Sequence, residues 1–352
     1  MDPLAPRMVT NIPGILTQRP IQGVIHRWWL LTIGIGLCLA AISAITFIKS
    51  PVEPFAHITL ECTPQPATAC FYQAKLRGYF AAEGLDVQIN HHLTGRQALA
   101  TMIENGSGYA TCADTPFTVA YSQEATVTVL AQTGHTSKFI QLIGRRDRGI
   151  TEDPSSLISR RIGVTRGTNT EYALYSTCLL RDIRQDQVAF IDLKPDELEG
   201  ALLSGSVDAV AMWEPFASRT ATKIGDQGVQ VKLSDFYRSM WLLVANTGKR
   251  DPHGERSLLR ALIRATADLT DDCEQWIEPL AREMGRTPDE LRHDLQQTRL
   301  RITLDQSLLL ELEAQRRWLN LGGPEIFDGL SPQSLSEVAP EAVTLIHPQV
   351  AP

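Results

Sequence analysis

The chain has 352 residues, of which 43% are hydrophobic and 21% charged, and its formal net charge is -7. This length and balance suit a globular protein of two lobes and exclude a largely disordered chain. They also exclude a nucleic-acid-binding protein, because such proteins present basic surfaces and no run of Lys and Arg with interleaved aromatic residues occurs here.

Residues 28–48 form an uncharged apolar run of 21 positions. At about 1.5 Å per residue, a helix of this length crosses a hydrocarbon core of about 30 Å. Three arginines lie within residues 1–27 and only Lys49 closely follows the run, so the positive-inside rule puts the N-terminal segment in the cytoplasm. We therefore predict a transmembrane anchor in the cytoplasmic (inner) membrane, with the rest of the chain on the periplasmic side.

Two alternatives to a retained anchor stay open. A cleaved signal peptide has an apolar region of about 7–15 residues, which is shorter than this run. A lipoprotein signal at Cys38 would place Leu37 where such signals resemble one another in having a small residue. The length of the run favours the retained anchor.

Beyond the anchor, short apolar runs rich in β-branched residues alternate with helical patterns. The predicted strands are residues 57–61, 85–89, 109–113, 127–131, 139–144, 161–165 and 208–212. This alternation predicts an α/β fold with mainly parallel sheets.

After about Arg250 the pattern is helical only, with apolar residues at helix spacing from Leu258 to Leu269. Thr287 is a predicted helix cap, since Pro288 and Glu290 follow it at the first and third positions, and Thr303 is predicted to start another helix. Residues 331–352 contain four prolines and are predicted to be a loosely held tail.

A repeat links two parts of the chain. Gly106–Ala110 (GSGYA) matches Gly205–Ala209 (GSVDA), and the match continues to a Pro-Phe pair in both copies with a constant offset of 99. Each copy has a helical run, a Gly-Ser turn, a strand and a helix start. The repeat predicts two equivalent α/β halves that face one another across a cleft.

The six cysteines, at positions 38, 62, 70, 112, 178 and 273, include no C-x-x-C pair and no Cys/His cluster with zinc spacing. No metal site is therefore predicted. Cys62, Cys70 and Cys112 are candidates for one disulfide, and buried free thiols are the alternative.

Three segments resemble the nitrate, sulfonate and taurine type of periplasmic solute-binding protein, a family related in sequence to thiamine-pyrimidine synthases. Residues 77–87 (RGYFAAEGLDV) resemble its first-lobe signature, and residues 161–172 (RIGVTRGTNTEY) resemble the entry of its second lobe. Residues 206–216 (SVDAVAMWEPF) are similar to the far wall of its cleft. Two features depart from the family: Tyr109 stands where the first repeat usually has Asp, and an anchor replaces the usual signal.

The resemblance implies a bilobal periplasmic-binding-protein-like fold of type II, in which a two-segment hinge joins two α/β lobes. We expect lobe 1 over residues 55–146 and 245–330, including the C-terminal helices, and lobe 2 over residues 147–244. The hinge segments are predicted near residues 145–147 and 243–246.

The function that the resemblance implies is that of the extracytoplasmic solute-binding subunit of an ABC importer. It would capture a small solute in the cleft and deliver it to permease and ATPase subunits, without a cofactor. A sulfonate is the first expectation, followed by a pyrimidine and then an inorganic anion such as nitrate or bicarbonate. Taurine belongs with the sulfonates.

An enzyme is not expected, because no G-x-S-x-G elbow, Walker A sequence or H-E-x-x-H motif occurs. A thiamine-pyrimidine synthase is the enzyme alternative, but its histidine and clustered-cysteine signature is missing. A membrane-tethered sensor that signals through a partner is the other alternative.

Candidate ligand residues follow from the rule that ligands bind beyond the carboxyl ends of strands in open α/β sheets. The loop Gly167-Thr168-Asn169-Thr170 follows a predicted strand and offers backbone and side-chain donors to an anion. A helix cap without a ligand is the alternative there. Thr94-Gly95-Arg96 likewise starts a helix, and Arg96 offers a guanidinium fork to a sulfonate or carboxylate.

Asp114-Thr115 and Trp213-Glu214 occupy equivalent places in the two repeats and are expected to face each other across the cleft. Trp213 can stack on a ligand, and the two acids can pair with a cationic group or simply favour their helix N-termini. If these acids line the cleft, they favour a zwitterionic ligand. His135 follows another predicted strand and is a further candidate for the polar wall.

Overall fold

The computed structural model describes residues 56–319, apart from residue 124 and residues 234–236. The predicted anchor, the cytoplasmic segment and the proline-rich tail lie outside the described residues. Among the described helices, none is both long enough and apolar enough to cross a membrane.

Eleven strands occur in the described part of the chain. They are β1 (Ala56–Cys62), β2 (Leu85–His91), β3 (Tyr109–Ala113), β4 (Val127–Thr136), β5 (Ile140–Arg145), β6 (Arg161–Val164), β7 (Ala189–Asp192), β8 (Ala209–Trp213), β9 (Gly228–Val231), β10 (Ser239–Asn246) and β11 (Arg299–Thr303). All seven predicted strands are present, whereas β7, β9, β10 and β11 were not predicted.

The described residues also form eleven α-helices. They are α1 (Ala69–Leu76), α2 (Tyr79–Ala82), α3 (Gly95–Asn105), α4 (Asp114–Ser122), α5 (Asn169–Leu180), α6 (Leu198–Ser204), α7 (Phe216–Ile224), α8 (Pro252–Asp271), α9 (Glu274–Glu283), α10 (Pro288–Gln296) and α11 (Gln306–Trp318).

The strands form two sheets, and each sheet belongs to one lobe. The sheet of lobe 1 has the order β11-β4-β10-β3-β1-β2, and the sheet of lobe 2 has the order β7-β6-β8-β5-β9. In lobe 1, β1 pairs in parallel with β2 and β3, and in lobe 2, β6 pairs in parallel with β7 and β8. Antiparallel pairing then adds β10 and β4 to the first sheet and β5 and β9 to the second. The prediction of mainly parallel sheets was therefore wrong: both sheets are mixed, because β10 and β5 run opposite to the parallel strands beside them. The predicted equivalence of the two halves is confirmed, because β3 and β8 hold the same place in the two sheets.

The chain passes between the lobes twice. It leaves β4 of lobe 1 after Thr136 and enters β5 of lobe 2 at Ile140, and it returns between Val231 and Ser239. The expected hinge segments were wrong in position: residues 145–147 lie at the end of β5 and in the turn after it, inside lobe 2, and residues 243–246 lie within β10 of lobe 1. Polar residues after a strand resemble a linker in the sequence. Which sheet a strand joins is decided by long-range contacts, which the local sequence does not show.

The buried residues show why these segments form strands. Successive residues of a strand point to opposite faces, and in β5 Leu142 packs into one core of lobe 2 while Ile143 packs into the other. Sheet 2 is thus covered on both faces. Lobe 1 has one large core, in which fully buried Phe71, Tyr72 and Phe117 pack with residues of α8.

The segment after Arg250 is not only helical, as the sequence suggested. Arg299–Thr303 forms β11, which pairs with β4 at the edge of sheet 1, and the last helix begins at Gln306 with Asp305 as its cap. The predicted cap at Thr287 is confirmed, since its hydroxyl accepts a hydrogen bond from the Glu290 backbone N–H at 3.3 Å. Predicted apolar positions of α8 are buried.

The five cysteines in the described part of the chain are free thiols. Cys62, Cys70 and Cys112 are buried, and burial raises the pKa of each. The structure therefore favours the free-thiol alternative over a disulfide among these three residues.

Candidate functional site

Three helices begin at the cleft between the lobes, each a few residues after the end of a strand or directly after it. In lobe 1, α3 follows β2 and α4 follows β3, while in lobe 2, α5 follows β6. The Thr94 hydroxyl caps α3 by accepting a hydrogen bond from the Gln97 backbone N–H at 3.1 Å. Helix N-termini carry unpaired N–H groups and a partial positive charge, so their convergence favours an anion.

An inner cavity of about 20 Å³ lies between the lobes, with room for roughly one water molecule. Its lining residues are Gln65, Leu93, Thr94, Gly95, Arg96, Ala113, Pro116, Phe139, Thr168, Asn169, Trp213 and Trp241. Among these, Arg96 has the one ionisable side chain. The two lobes therefore enclose a site that has aromatic side chains in its wall and Arg96 as its positive charge.

An outer cavity of about 500 Å³ adjoins the inner one. The two cavities share four lining residues, Leu93, Thr94, Arg96 and Thr168. The other residues that line the outer cavity are Gln97 and Ala100 of α3, Thr165, Asp192 at the end of β7, and Leu193, Lys194, Pro195 and Glu197 after it. Its volume falls within the range of small-molecule sites, about 300–1,000 Å³.

Arg96 bridges the two lobes. Its Nη1 donates a hydrogen bond of 2.6 Å to the backbone carbonyl of Arg166 in lobe 2. Gly167 follows with a φ of +67°, and a Cβ atom at this position would lie 3.4 Å from Nη1. Glycine therefore accommodates both a left-handed backbone and the approaching guanidinium.

The Gly167–Thr170 loop is only partly directed to the cleft. The Gly167 N–H donates to the Glu171 carboxylate at 2.8 Å, so it is not available to a solute in this arrangement. Thr168 and Asn169 line the inner cavity, and the Asn169 amide donates to the Ser239 hydroxyl of lobe 1 at 2.7 Å. Thr170 is fully buried, with its hydroxyl 2.7 Å from that of Thr168.

Asp114 and Thr115 are fully buried and line neither cavity. The Tyr237 hydroxyl donates to Asp114 Oδ1 at 2.7 Å, and the Thr115 N–H donates to the same oxygen at 3.0 Å. Burial, and next the charge of Glu311, raise the pKa of Asp114 to about 8. Asp114 thus belongs to a hydrogen-bonded network behind the cleft.

Trp213 and Glu214 are adjacent in the sequence, but only Trp213 lines the inner cavity. The Trp213 ring lines the inner cavity and meets Phe216 edge to face at 6.3 Å. Its indole N–H is buried without a hydrogen-bond partner among the described residues. Glu214 lines neither cavity; it accepts the Ser218 N–H at 3.1 Å, and burial raises its pKa.

His135 lies on β4, opposite Met240 of β10 and Arg299 of β11, and lines neither cavity. Burial lowers its pKa, and the positive charges of Arg238 and Arg299 act in the same direction. The structure therefore brings together six of the predicted residues, Thr94, Gly95, Arg96, Thr168, Asn169 and Trp213. The other six, Asp114, Thr115, His135, Gly167, Thr170 and Glu214, lie outside the two cavities.

Sequence reasoning missed six residues that line the inner cavity, of which Gln65, Phe139 and Trp241 have polar or aromatic side chains. Gln65 follows the carboxyl end of β1, so the strand-end rule would have found it if it had been applied to the first strand. Its side-chain oxygen Oε1 is buried without a partner among the described residues. Phe139 lies where the chain crosses to lobe 2, and Trp241 lies on β10, which was not predicted; their rings meet edge to face at 6.1 Å.

The described residues contain no group of three or more His, Cys, Asp or Glu side chains able to hold a metal ion. Another cavity in the described part of the chain, of about 770 Å³, lies beside β5 and β9 of lobe 2 and is lined by none of the predicted ligand residues. The two cavities at the helix N-termini remain the candidate site, because they combine both lobes, donors and aromatic walls.

The family model described as NMT1/THI5 like matches residues 65–275. The periplasmic aliphatic sulphonate binding protein SsuA of Escherichia coli is similar in structure, with a TM-score of 0.65 and 15% identity over 83% of this chain and 99% of that chain.

Two further solved structures are similar. The alkanesulfonate-binding protein SsuA of Xanthomonas axonopodis pv. citri, bound to MOPS, has a TM-score of 0.61 and 16% identity over 83% of this chain and 97% of its own. The desulfurization enzyme DSZB has a TM-score of 0.56 and 19% identity over 80% of this chain and 98% of its own. No curated protein sequence matches this chain. Because the identities are low, these structures establish the fold alone, which is the bilobal periplasmic-binding-protein fold.

Proposed function

Because the chain belongs to the NMT1/THI5-like family, we propose that it is the periplasmic solute-binding subunit of an ABC importer and that its solute carries a sulfonate group. The observation that carries this proposal is the convergence of three helix N-termini and Arg96 on one cleft between two lobes. The solute would pass from this cleft to permease and ATPase subunits.

The charge of the inner cavity supports an anionic group. Arg96 contributes a planar set of donors that suits tetrahedral oxyanions, and the unpartnered Trp213 N–H adds a buried donor. Buried donors without partners are costly, so a ligand oxygen at this position is favourable. The negative charges of Asp114 and Glu214 would repel an anion, but both carboxylates accept hydrogen bonds from other protein groups and line neither cavity.

The outer cavity can hold the organic substituent of the solute. An inorganic anion would leave the outer cavity of about 500 Å³ without a role, whereas a sulfonate can keep its oxygens at Arg96 and extend its substituent outward. Sulfonate-binding SsuA proteins from two bacteria share the fold, which supports the same choice.

Closure of the lobes supports a binding protein. The polar contacts Arg96–Arg166 and Asn169–Ser239 join lobe 1 to lobe 2 directly at the site. A solute that contacts both lobes binds the closed form better than the open form, and this difference in affinity drives closure.

Catalysis is not proposed, although the desulfurization enzyme DSZB shares the fold. The described residues that line the inner cavity include no cysteine, histidine or carboxylate. They therefore lack the usual nucleophiles and general bases apart from threonine hydroxyls.

Isothermal titration of the purified full-length protein with ethanesulfonate, sulfate, nitrate and propionate tests the proposal. We expect ethanesulfonate to saturate one site per chain and Arg96→Ala to weaken its binding by about tenfold or more, the effect of losing a charged hydrogen bond. Arg184→Ala is the matched control, because Arg184 pairs with Asp186 at 3.0 Å on the surface of lobe 2. Preference for propionate, or equal losses in the two variants, would contradict the proposal.

A further inference from the structure

The outer cavity holds charged side chains that the sulfonate group would not engage. Asp192 and Glu197 line it from lobe 2, together with Lys194, while Arg96 lines it from lobe 1. Ionisable residues on both sides of a cavity that adjoins the solute site are suited to recognise the far end of the solute.

Each carboxylate has an oxygen available for a ligand. Asp192 Oδ1 accepts the Arg166 N–H at 3.1 Å, and Glu197 Oε2 accepts the Lys194 N–H at 2.8 Å. These bonds fix both side chains to the loop. The second oxygen of each has no hydrogen-bond partner among the described residues.

The balance of charge sets the preference of the cavity. Arg96 and Lys194 balance Asp192 and Glu197 when the site is empty. A sulfonate bound at Arg96 neutralises that guanidinium, so the outer cavity is then left with one excess negative charge. A second anionic group at the far end of the solute would be repelled there, and a cationic group would be attracted.

Apolar residues line the same cavity and can hold the methylene chain that links the two ends of the solute. They are Leu93, Ala100, Leu193 and Pro195. Leu93 is 47% exposed, so a chain that covers it gains hydrophobic stabilisation.

Resting on the proposed function, we propose that Asp192 and Glu197 form a second subsite, which selects sulfonates by the charge of their distal group. Solutes with a distal ammonium bind best, neutral solutes bind less well, and solutes with a distal carboxylate or second sulfonate bind worst. One sulfonate oxygen fits the inner cavity beside Arg96 and Trp213, and the distal group therefore projects into the outer cavity.

A matched pair of ligands tests this inference by titration calorimetry on the full-length protein. 3-Aminopropanesulfonate and butanesulfonate differ by an ammonium in place of a methyl group. Each carboxylate is expected to favour the ammonium by roughly twofold to fivefold, as for exposed ion pairs. Propane-1,3-disulfonate is expected to bind more weakly than either, and the preference should shrink in high salt.

Variants distinguish this subsite from a general effect of charge. Asp192→Asn combined with Glu197→Gln should bring the affinities for the first two ligands together. Asp196→Asn is the control, because Asp196 is exposed in the same loop but does not line the cavity. Equal affinities in the wild-type protein, or a preference that survives the double substitution, would overturn the inference while leaving the sulfonate-binding function intact. Failure of every sulfonate to bind would instead refute the proposed function.

Discussion

Arg96 of lobe 1 lies within hydrogen-bond distance of the Arg166 carbonyl of lobe 2, at 2.6 Å from Nη1. One guanidinium thus closes the cleft and also lines both the inner and the outer cavity. Its planar fork can serve the carbonyl and a solute oxygen together, whereas an ammonium is a point charge on a flexible stem.

The first prediction concerns this double role. Arg96→Lys keeps the charge but loses the fork, so sulfonate affinity is expected to lie between those of the wild type and Arg96→Ala. Titration calorimetry measures the three values. A lysine variant as weak as the alanine variant would mean that geometry, and not charge, provides all of the affinity.

A second prediction concerns the ion pair of Arg219 on α7 and Glu290 on α10, whose charged atoms are 2.7 Å apart across the lobes. Neither residue lines the inner or the outer cavity, so the pair can affect solute binding only by stabilising the closed form. Arg219→Ala is expected to weaken solute affinity by roughly twofold to fivefold, the value of an exposed pair.

A double-mutant cycle with Glu290→Gln checks this prediction, since the two losses should not add. Arg292→Ala is the control, because Arg292 pairs with Glu274 at 2.7 Å within lobe 1 and should leave affinity unchanged. Additive losses from Arg219 and Glu290 would rule out a shared effect on closure.

The third prediction is a pH dependence of stability that originates at Asp114. Its folded-state pKa of about 8 lies above the ordinary value of 3.8, so between these values the folded protein holds a proton that the unfolded chain releases. The free energy of unfolding should therefore fall as pH rises through this window, by at most about 1.4 kcal/mol per pH unit for one proton.

Urea denaturation from pH 5 to 9 measures this slope. Asp114→Asn should flatten it relative to the wild type, and Glu311→Gln should flatten it in part, because the Glu311 charge contributes to the raised pKa. If the slope is unchanged in both variants, a group other than Asp114 causes the pH dependence.

The fourth prediction uses the buried Trp213 N–H, which has no partner among the described residues. Trp213→Phe removes this donor and keeps an aromatic ring, so sulfonate affinity should fall by about tenfold. The free energy of unfolding without solute should change less, because loss of an unsatisfied donor offsets loss of packing. Trp241→Phe alters a ring in the same cavity, and an equal loss of affinity there would show that packing alone matters.

The fifth prediction concerns Gly95 at the start of α3. A Cβ atom there would lie 2.8 Å from the Cys112 Cα, a backbone atom that cannot move aside easily. Gly95→Ala is therefore expected to destabilise the protein by about 1–3 kcal/mol, as overpacking does. Gly200→Ala is the control, since a Cβ at this helical position meets nothing within 4 Å and alanine should stabilise by about 0.5–1 kcal/mol. Thermal unfolding compares the two.

The sequence by itself determined the fold class and the positions of the local elements. Alternating apolar runs predicted seven strands that are present, and the repeat around Gly106 and Gly205 predicted the equivalence of the two sheets. The strand-end rule placed Thr94-Gly95-Arg96 at the cleft, and the repeat, together with the family resemblance of residues 206–216, placed Trp213 there. These features depend on contacts between neighbours in the chain, which periodicity and capping residues report directly.

Only the tertiary structure decided where the lobes divide and which polar residues reach the cleft. β10 pairs with β3 and β4, more than a hundred residues earlier, and no local pattern specifies such a partner. Asp114 and Glu214 directly follow β3 and β8 as expected, but their carboxylates accept hydrogen bonds from Tyr237 and Ser218. Gln65, Phe139 and Trp241 come together from three distant segments, because side-chain direction and long-range packing, which the sequence does not encode locally, set the composition of a cleft.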